Sequence, residues 1–243
     1  MSRIVVTGAA SGIGLALAER MLDEGHAVLA ADLNAEGMAP LAARGAETLT
    51  ADLATAAGRA ALLDAAGQLT HLVNCAGVIR MTPLDEVDEA LWDMTLGVNA
   101  KAVFFICQAL LPRIAPGGAA VNLSSVAGKT GSTLEAAAYA AAKAAVLSMT
   151  RTFAYAHAAR GVRVNAVCPG IIDTPMQEDV VQRLAAHQGS TPEEIHRGRL
   201  GTVPMARSAA PAECAAVIRF LLFDESSYMT GQAVNVSGGL VTY

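Results

Sequence analysis

The chain has 243 residues, of which 53% are apolar and only 4% aromatic, enough for one α/β domain with a mainly aliphatic core. Its formal net charge of −5, with no basic stripe, argues against nucleic acid as a partner. No stretch reads as a bilayer span or secretory leader, and Cys75, Cys107, Cys168, Cys214 and the five histidines lack metal-ligand or redox-pair spacing; a cytoplasmic protein with reduced thiols, no metal and no membrane partner is expected.

In chain order, the first predicted strand covers residues 4–7 and runs into Thr7-Gly8-x3-Gly12-x-Gly14, after which 12–24 carry helical apolar spacing. Glycines at such a joint permit a tight turn, let a pyrophosphate approach the backbone and leave the helix amides to bind it. Gly8, Ser11, Gly12, Ile13 and Gly14 are therefore candidate dinucleotide contacts. The next strand, 27–31, leads to Asp32, eighteen residues after Gly14. A carboxylate there suits the adenosine ribose hydroxyls and repels the extra phosphate of NADP, by roughly 4 kcal/mol at about 4 Å and an effective dielectric near 20. Neither Ser11 nor Leu33 offers a compensating cation, so NAD is the expected cofactor.

Strands at 46–51, 70–74, 118–124, 162–168 and 233–236 alternate with helices near 36–44, 55–66, 88–114, 136–159 and 211–223. Strands apolar on both sides and separated by helices predict an α/β, single-domain, doubly wound Rossmann fold. Its seven-stranded parallel sheet would carry helices on both faces and the ligand over the carboxyl ends. Asp32, Asp52, Asn74, Ser125, Pro169 and Gly170 fall at such ends. In the helix at 136–159, Tyr139 and Lys143 are four apart and share a face. Bringing a phenol from near pH 10 to about 7 takes roughly 4 kcal/mol, at ~1.36 kcal/mol per unit. A neighbouring ammonium would supply much of this and an oxidised nicotinamide the rest. The spacing alone also fits a surface pair. Phe104, Phe105, Leu110, Val146, Met149 and Phe153 are candidates for facing a second subunit. The segment 175–204 reads as the least regular part, with Gly189-Ser-Thr-Pro192 between two short helical pieces. Its His187, His196, Arg197 and Arg199, with Arg80, suit a small polyhydroxylated or anionic substrate or simply face water.

The motifs stand in one order: the glycine turn, Asp52-Leu53, Asn74-Cys75-Ala76-Gly77, Asn99, Ser124-Ser125, Tyr139-x3-Lys143, Asn165-x3-Pro169-Gly170, Thr174, and Gly231 through Gly238-Gly239. From Arg3 to Gly239 the chain resembles the short-chain dehydrogenases/reductases. The resemblance implies Tyr139 as general acid/base, Lys143 on the nicotinamide ribose and favouring the tyrosinate, Ser125 as donor to the substrate oxygen, and Asn99 linking Lys143 to solvent. It also implies cofactor contacts at Leu33, Asp52, Leu53, Asn74, Ala76, Gly77, Tyr139, Lys143, Pro169, Gly170, Ile172 and Thr174. Residues 175–204 would cover the substrate, and the helices near 88–114 and 136–159 would build a homotetramer. Similarity to polyol dehydrogenases implies a sugar, sugar alcohol or hydroxy acid. A 3-oxoacyl-carrier-protein reductase shares every motif but usually takes NADPH; a non-catalytic NAD-binding regulator need not keep Ser125, Tyr139, Lys143 and Asn99 together. Two departures stand out. Cys75 replaces an asparagine common in the family, a change expected to be tolerated in a supporting turn. The interval from Ser125 to Tyr139 is fourteen rather than the usual thirteen, with the extra residue expected between Lys129 and Ala138.

Overall fold

Short runs rich in Val, Ile, Leu and Ala form a parallel sheet in the computed structural model, which describes residues 2–131 and 134–243. The strands are β1 (Arg3–Thr7), β2 (Ala27–Asp32), β3 (Glu47–Thr50), β4 (His71–Asn74), β5 (Ala119–Leu123), β6 (Arg163–Pro169) and β7 (Ala233–Val236). Their order is β3-β2-β1-β4-β5-β6-β7. β4, β5 and β6 are buried at every residue, which is why they read as continuous apolar runs rather than alternating ones. In register, Thr7 lies between Ala31 and Asn74, so the carboxyl ends of β2, β1 and β4 are aligned. The winding direction reverses between β1 and β4, and a crevice opens above that switch point.

The connecting helices are α1 (Gly12–Asp23), α2 (Ala39–Ala43), α3 (Ala56–Ala66), α4 (Glu89–Leu96), α5 (Ala102–Leu110), α6 (Ala127–Thr130), α7 (Ala137–Ala158), α8 (Pro175–Gln188), α9 (Pro192–Gly201) and α10 (Pro211–Leu222). Side chains alternate across β1. Ile4 and Val6 join Leu17 and Met21 of α1 and Ile218 and Leu221 of α10 on one face. Val5 joins Leu62 of α3, Ile106 and Leu110 of α5, and Val146 and Phe153 of α7 on the other. Each such Leu or Ile, fully buried, is worth about 1.5–3 kcal/mol.

Three expectations are corrected here. The helix expected at 88–114 is interrupted by a π turn at Gly97–Lys101, with Asn99 inside it. The helical run Glu89–Arg113 is also long and apolar enough to span a bilayer by length and composition, with mean hydropathy 1.5, contrary to the reading that no stretch was. Half of that window packs inside the fold, where Val103, Ile106 and Leu110 meet the sheet, so core packing accounts for much of the apolarity. Finally, the segment at 175–204 is more regular than expected, with well-formed helices on either side of the predicted break at Gly189–Pro192. Thr174 accepts a hydrogen bond from the Gln177 amide at the start of α8, and Gly189 closes that helix in the left-handed conformation. Thr191 and Glu194 form a reciprocal capping box on α9. Pro175 and Pro192 occupy the first turns, where a missing amide costs nothing.

Candidate active site

A cavity of about 1080 Å³ lies over the carboxyl ends of the strands. The glycine turn forms one end. Gly8 has φ +68°, and a Cβ there would sit 2.6 Å from the Ala76 amide nitrogen; one on Gly14 would sit 2.1 Å from the Gly8 carbonyl oxygen. Only hydrogen fits at either place. Ser11 precedes α1 in extended conformation without capping it by its side chain, so the first helix amides remain available to an anion. Asp32 closes this end, its Oδ2 accepting from the Ala10 amide at 3.0 Å and its Oδ1 from the Asn34 amide at 2.9 Å. Leu33, Asp52, Leu53, Ala76, Gly77, Pro169, Gly170, Ile172 and Thr174 also line the cavity. This cradle of amides, flanked by a carboxylate, fits the pyrophosphate and ribose of a dinucleotide.

Asn74 does not line the wall. Its side chain is buried beneath it, donating to Asn122 Oδ1 at 2.9 Å, and Asn122 donates onward to Thr150 Oγ1 at 3.0 Å. The last residue of β4 thus joins a polar chain through the core. Cys75, by contrast, lies on the wall.

The reactive end gathers Ser125, Tyr139 and Lys143. The two serines separate cleanly. Ser124 is buried and donates to the Lys143 carbonyl at 2.8 Å, whereas Ser125 is half-buried and hydrogen-bonded to Tyr139. Of the stretch expected to hold the extra residue, α6 ends at Thr130 and Gly131 is left-handed; residues 132 and 133 lie outside the described residues. Lys143 is buried, with its Nζ 5.4 Å from the Tyr139 ring centroid and donating to the Leu123 carbonyl at 2.8 Å. Asn99 is fully buried. Its amide donates to the Thr95 and Val78 carbonyls at 2.8 Å each, and its Oδ1 accepts from the Val78 amide at 3.2 Å. A Cβ on Gly77 would lie 2.9 Å from Asn99 Oδ1 and 3.4 Å from Lys143 Nζ, so these two side chains flank that glycine.

The electrostatics differ from the expected pairing. Burial pushes the Tyr139 phenol up to about 12, against the lowering effect of the Ser125 hydrogen bond, and pushes Lys143 down to about 8. The ammonium donates to a carbonyl and lies over the face of the ring, so in the protein alone it does not make the phenol acidic. A greater share of phenolate stabilisation falls to Ser125 and to positive charge brought by a bound nicotinamide.

At the substrate end, Arg199 lines the cavity, whereas Arg80, His187, His196 and Arg197 do not. Arg80 lies 3.6 Å from Asp179 on the surface, and His187 and Arg197 are exposed. The sequence reading missed Gln177, Met176, Val180, Thr202, Leu240 and Val241 on this wall. The spacing Thr174-Pro-Met-Gln177 was the available signal, since it matches a capping box and places Gln177 in the first turn of a helix. Among the described residues, no group of three or more His, Cys, Asp or Glu is placed to hold a metal.

An all-parallel sheet of this order, with a glycine cradle at its switch point and a Ser-Tyr-Lys group beside it, defines a nicotinamide-dependent oxidoreductase. A family profile described as Enoyl-(Acyl carrier protein) reductase matches residues 8–241. The chain belongs to the short-chain dehydrogenase/reductase family. It is 38% identical to the 3-oxoacyl-acyl-carrier-protein reductase FabG of Thermotoga maritima, over 98% of this chain and 96% of the relative. It is 34% identical to the 2-keto-3-deoxy-L-fuconate dehydrogenase of Xanthomonas campestris, over 98% of this chain and 79% of the relative. A variant of actinorhodin polyketide ketoreductase solved with NADPH superposes with a TM-score of 0.90 at 32% identity, covering 100% of this chain and 98% of its own.

Proposed function

We propose that the protein is an NAD-dependent dehydrogenase of a secondary alcohol on a small polar substrate: a sugar, sugar alcohol or hydroxy acid. The observation that carries this reading is one continuous cavity lined both by Ser125, Tyr139 and Lys143 and by Asp32. Lys143 and Arg199 are the cations on that wall, and neither belongs to the turn around Asp32 that would meet a 2′-phosphate. A bound nicotinamide supplies or accepts the hydride. Tyr139 takes the hydroxyl proton during oxidation and returns it during reduction, while Ser125 holds the same oxygen by a hydrogen bond. Lys143 orients the ribose, and the positive charge of the bound nicotinamide together with Ser125 stabilises negative charge on Tyr139. Asn99, clamped to Val78 on one side and Thr95 on the other, fixes the position of the turn through which Lys143 exchanges protons.

The pair α8–α9 covers the substrate. Exposed Trp92, Phe105 and Tyr155 on α4, α5 and α7 supply the contact face of a homotetramer. Of the residues proposed from sequence, Leu110, Val146 and Phe153 instead belong to the core, because the sheet needs that face of both helices.

Nicotinamide fluorescence titration tests the cofactor assignment. NADH should bind about tenfold or more tightly than NADPH, and Asp32→Asn should narrow the difference by a similar factor. A panel of polyols, sugars and hydroxy acids scored by NADH absorbance then tests the substrate class. The 38% identity to an acyl-carrier-protein reductase supports a second reading, reduction of a 3-oxoacyl thioester. Preference for NADPH together with turnover of such a thioester would establish it.

A further inference from the structure

We propose that Arg199 and Gln177 form a carboxylate seat in the substrate half of the cavity, which narrows the substrate to a hydroxy acid or the corresponding oxo acid. The inference rests on the dehydrogenase reading and deepens it. Both residues line the cavity that holds Tyr139, Lys143 and Ser125. Arg199 Nη2 donates to Gln177 Oε1 at a long 3.3 Å. Arginine has no acceptor, so this contact fixes the amide with its oxygen towards the guanidinium and its NH2 turned away. Neither Gln177 Nε2 nor Arg199 Nε has a partner among the described residues. Arg199 makes no ion pair there either, and its largely buried guanidinium is pushed below the usual arginine range by desolvation. The acids on the cavity wall, Asp32 and Asp52, belong to the nucleotide half.

A helix C-terminus accounts for a cation in the last turn of α9. It does not account for that cation's being turned inward beside a second set of unpartnered donors. Buried donors without acceptors are costly, and here a guanidinium and an amide both carry unpartnered N–H groups while the amide oxygen is already engaged by Arg199. The complement is an anion with two oxygens, and a carboxylate matches the geometry. A neutral polyol, whose hydroxyls need acceptors as well as donors, matches poorly. Ile79, Met81, Met176 and Val180 line the same cavity and offer apolar contact to the carbon chain of such an acid. Both nitrogens are covered in the present arrangement, so the seat opens by a side-chain shift as the acid enters.

The test uses the full chain, with and without NADH, and two matched pairs of probes: 3-hydroxybutyrate with 3-hydroxybutyramide, and gluconate with gluconamide. Calorimetric titration of the NADH-loaded protein should favour at least one acid over its amide by about tenfold or more. Arg199→Met should abolish that preference while leaving NADH affinity unchanged, and Arg199→Lys, which keeps the charge, should retain part of it. Equal affinity for acid and amide in both pairs overturns the seat. So does an acid preference that survives in Arg199→Met, or a loss of NADH affinity in that variant, which would assign the donors to the cofactor phosphates. A protein that discriminates acid from amide but takes up no NADH would refute the dehydrogenase reading and leave the seat standing.

Discussion

The two halves of the cavity are built on different principles. At the nucleotide end the lining groups come mainly from backbone, the Asp32 carboxylate excepted: the turn from Gly8 to Gly14, the uncapped start of α1, and the strand end at Gly170. At the substrate end they come from side chains on α8 and α9, helices that contribute few residues to the two large core clusters and are organised by Thr174 and by the Thr191–Glu194 box. Backbone geometry commits a site to one shape of ligand and depends on steric rules that leave glycines in the sequence. Side chains on a capped helical pair can be exchanged without disturbing the sheet. The first half therefore belongs to the reaction, and the second to the particular substrate.

The contrast is tested most severely at the reacting group between the halves. Tyr139→Phe should lower turnover by about 10²–10⁴ while leaving NADH affinity intact, as steady-state rates beside fluorescence titration would register. Retained turnover would remove Tyr139 from the reaction and break the contrast at its centre. Next comes Lys143. Its folded value of about 8 lies below the ordinary 10.5, so between those values the unfolded chain holds the extra proton. Stability from this group is fully present above the unfolded value and is lost as pH falls through about 8. From about pH 7 to pH 10, wild type should gain roughly 2–3 kcal/mol relative to Lys143→Met, read from parallel urea melts. Identical slopes would mean that the ammonium is solvated rather than buried. The smallest effect is the sharpest discriminator. Thr191→Ala should cost about 1 kcal/mol of stability and raise KM for substrate, with no change in NADH affinity. A weakened NADH affinity in that variant would show that the halves are not separable.

The same division decides what could be read from sequence. The strands and the glycine cradle were legible because β-branched runs and strand-to-helix glycines have local causes. Ser125 was separable from Ser124 by its place in the motif, and the two differ in the structure in that Ser124 donates to the Lys143 carbonyl while Ser125 is hydrogen-bonded to Tyr139. Asn74 misled because a residue at a strand end has two choices, and the need to satisfy Asn122 inside the core turned the side chain inward. The balance between Tyr139 and Lys143 was not legible either, since desolvation of both depends on packing from several elements. On α8 and α9 the two helical pieces and the break at Gly189–Pro192 were legible, but the cations that reach the cavity could not be told from those facing water. Arg197 and Arg199 are two apart and lie on different sides of one helix; only coordinates for α9 distinguish them.

The widened turn at Gly97–Lys101 has a consequence for how this chain tolerates changes of length. An α-helix advances about 100° per residue, and the π turn takes up one residue more than an α turn would, so winding the same residues as regular α-helix would rotate all of α5 by that angle. Ile106 and Leu110 would swing off the sheet, Phe105 would leave the outer face, and Asn99 would lose its hold on Val78. The extra residue thus acts as a phase setting shared by the core, the exposed face and the site.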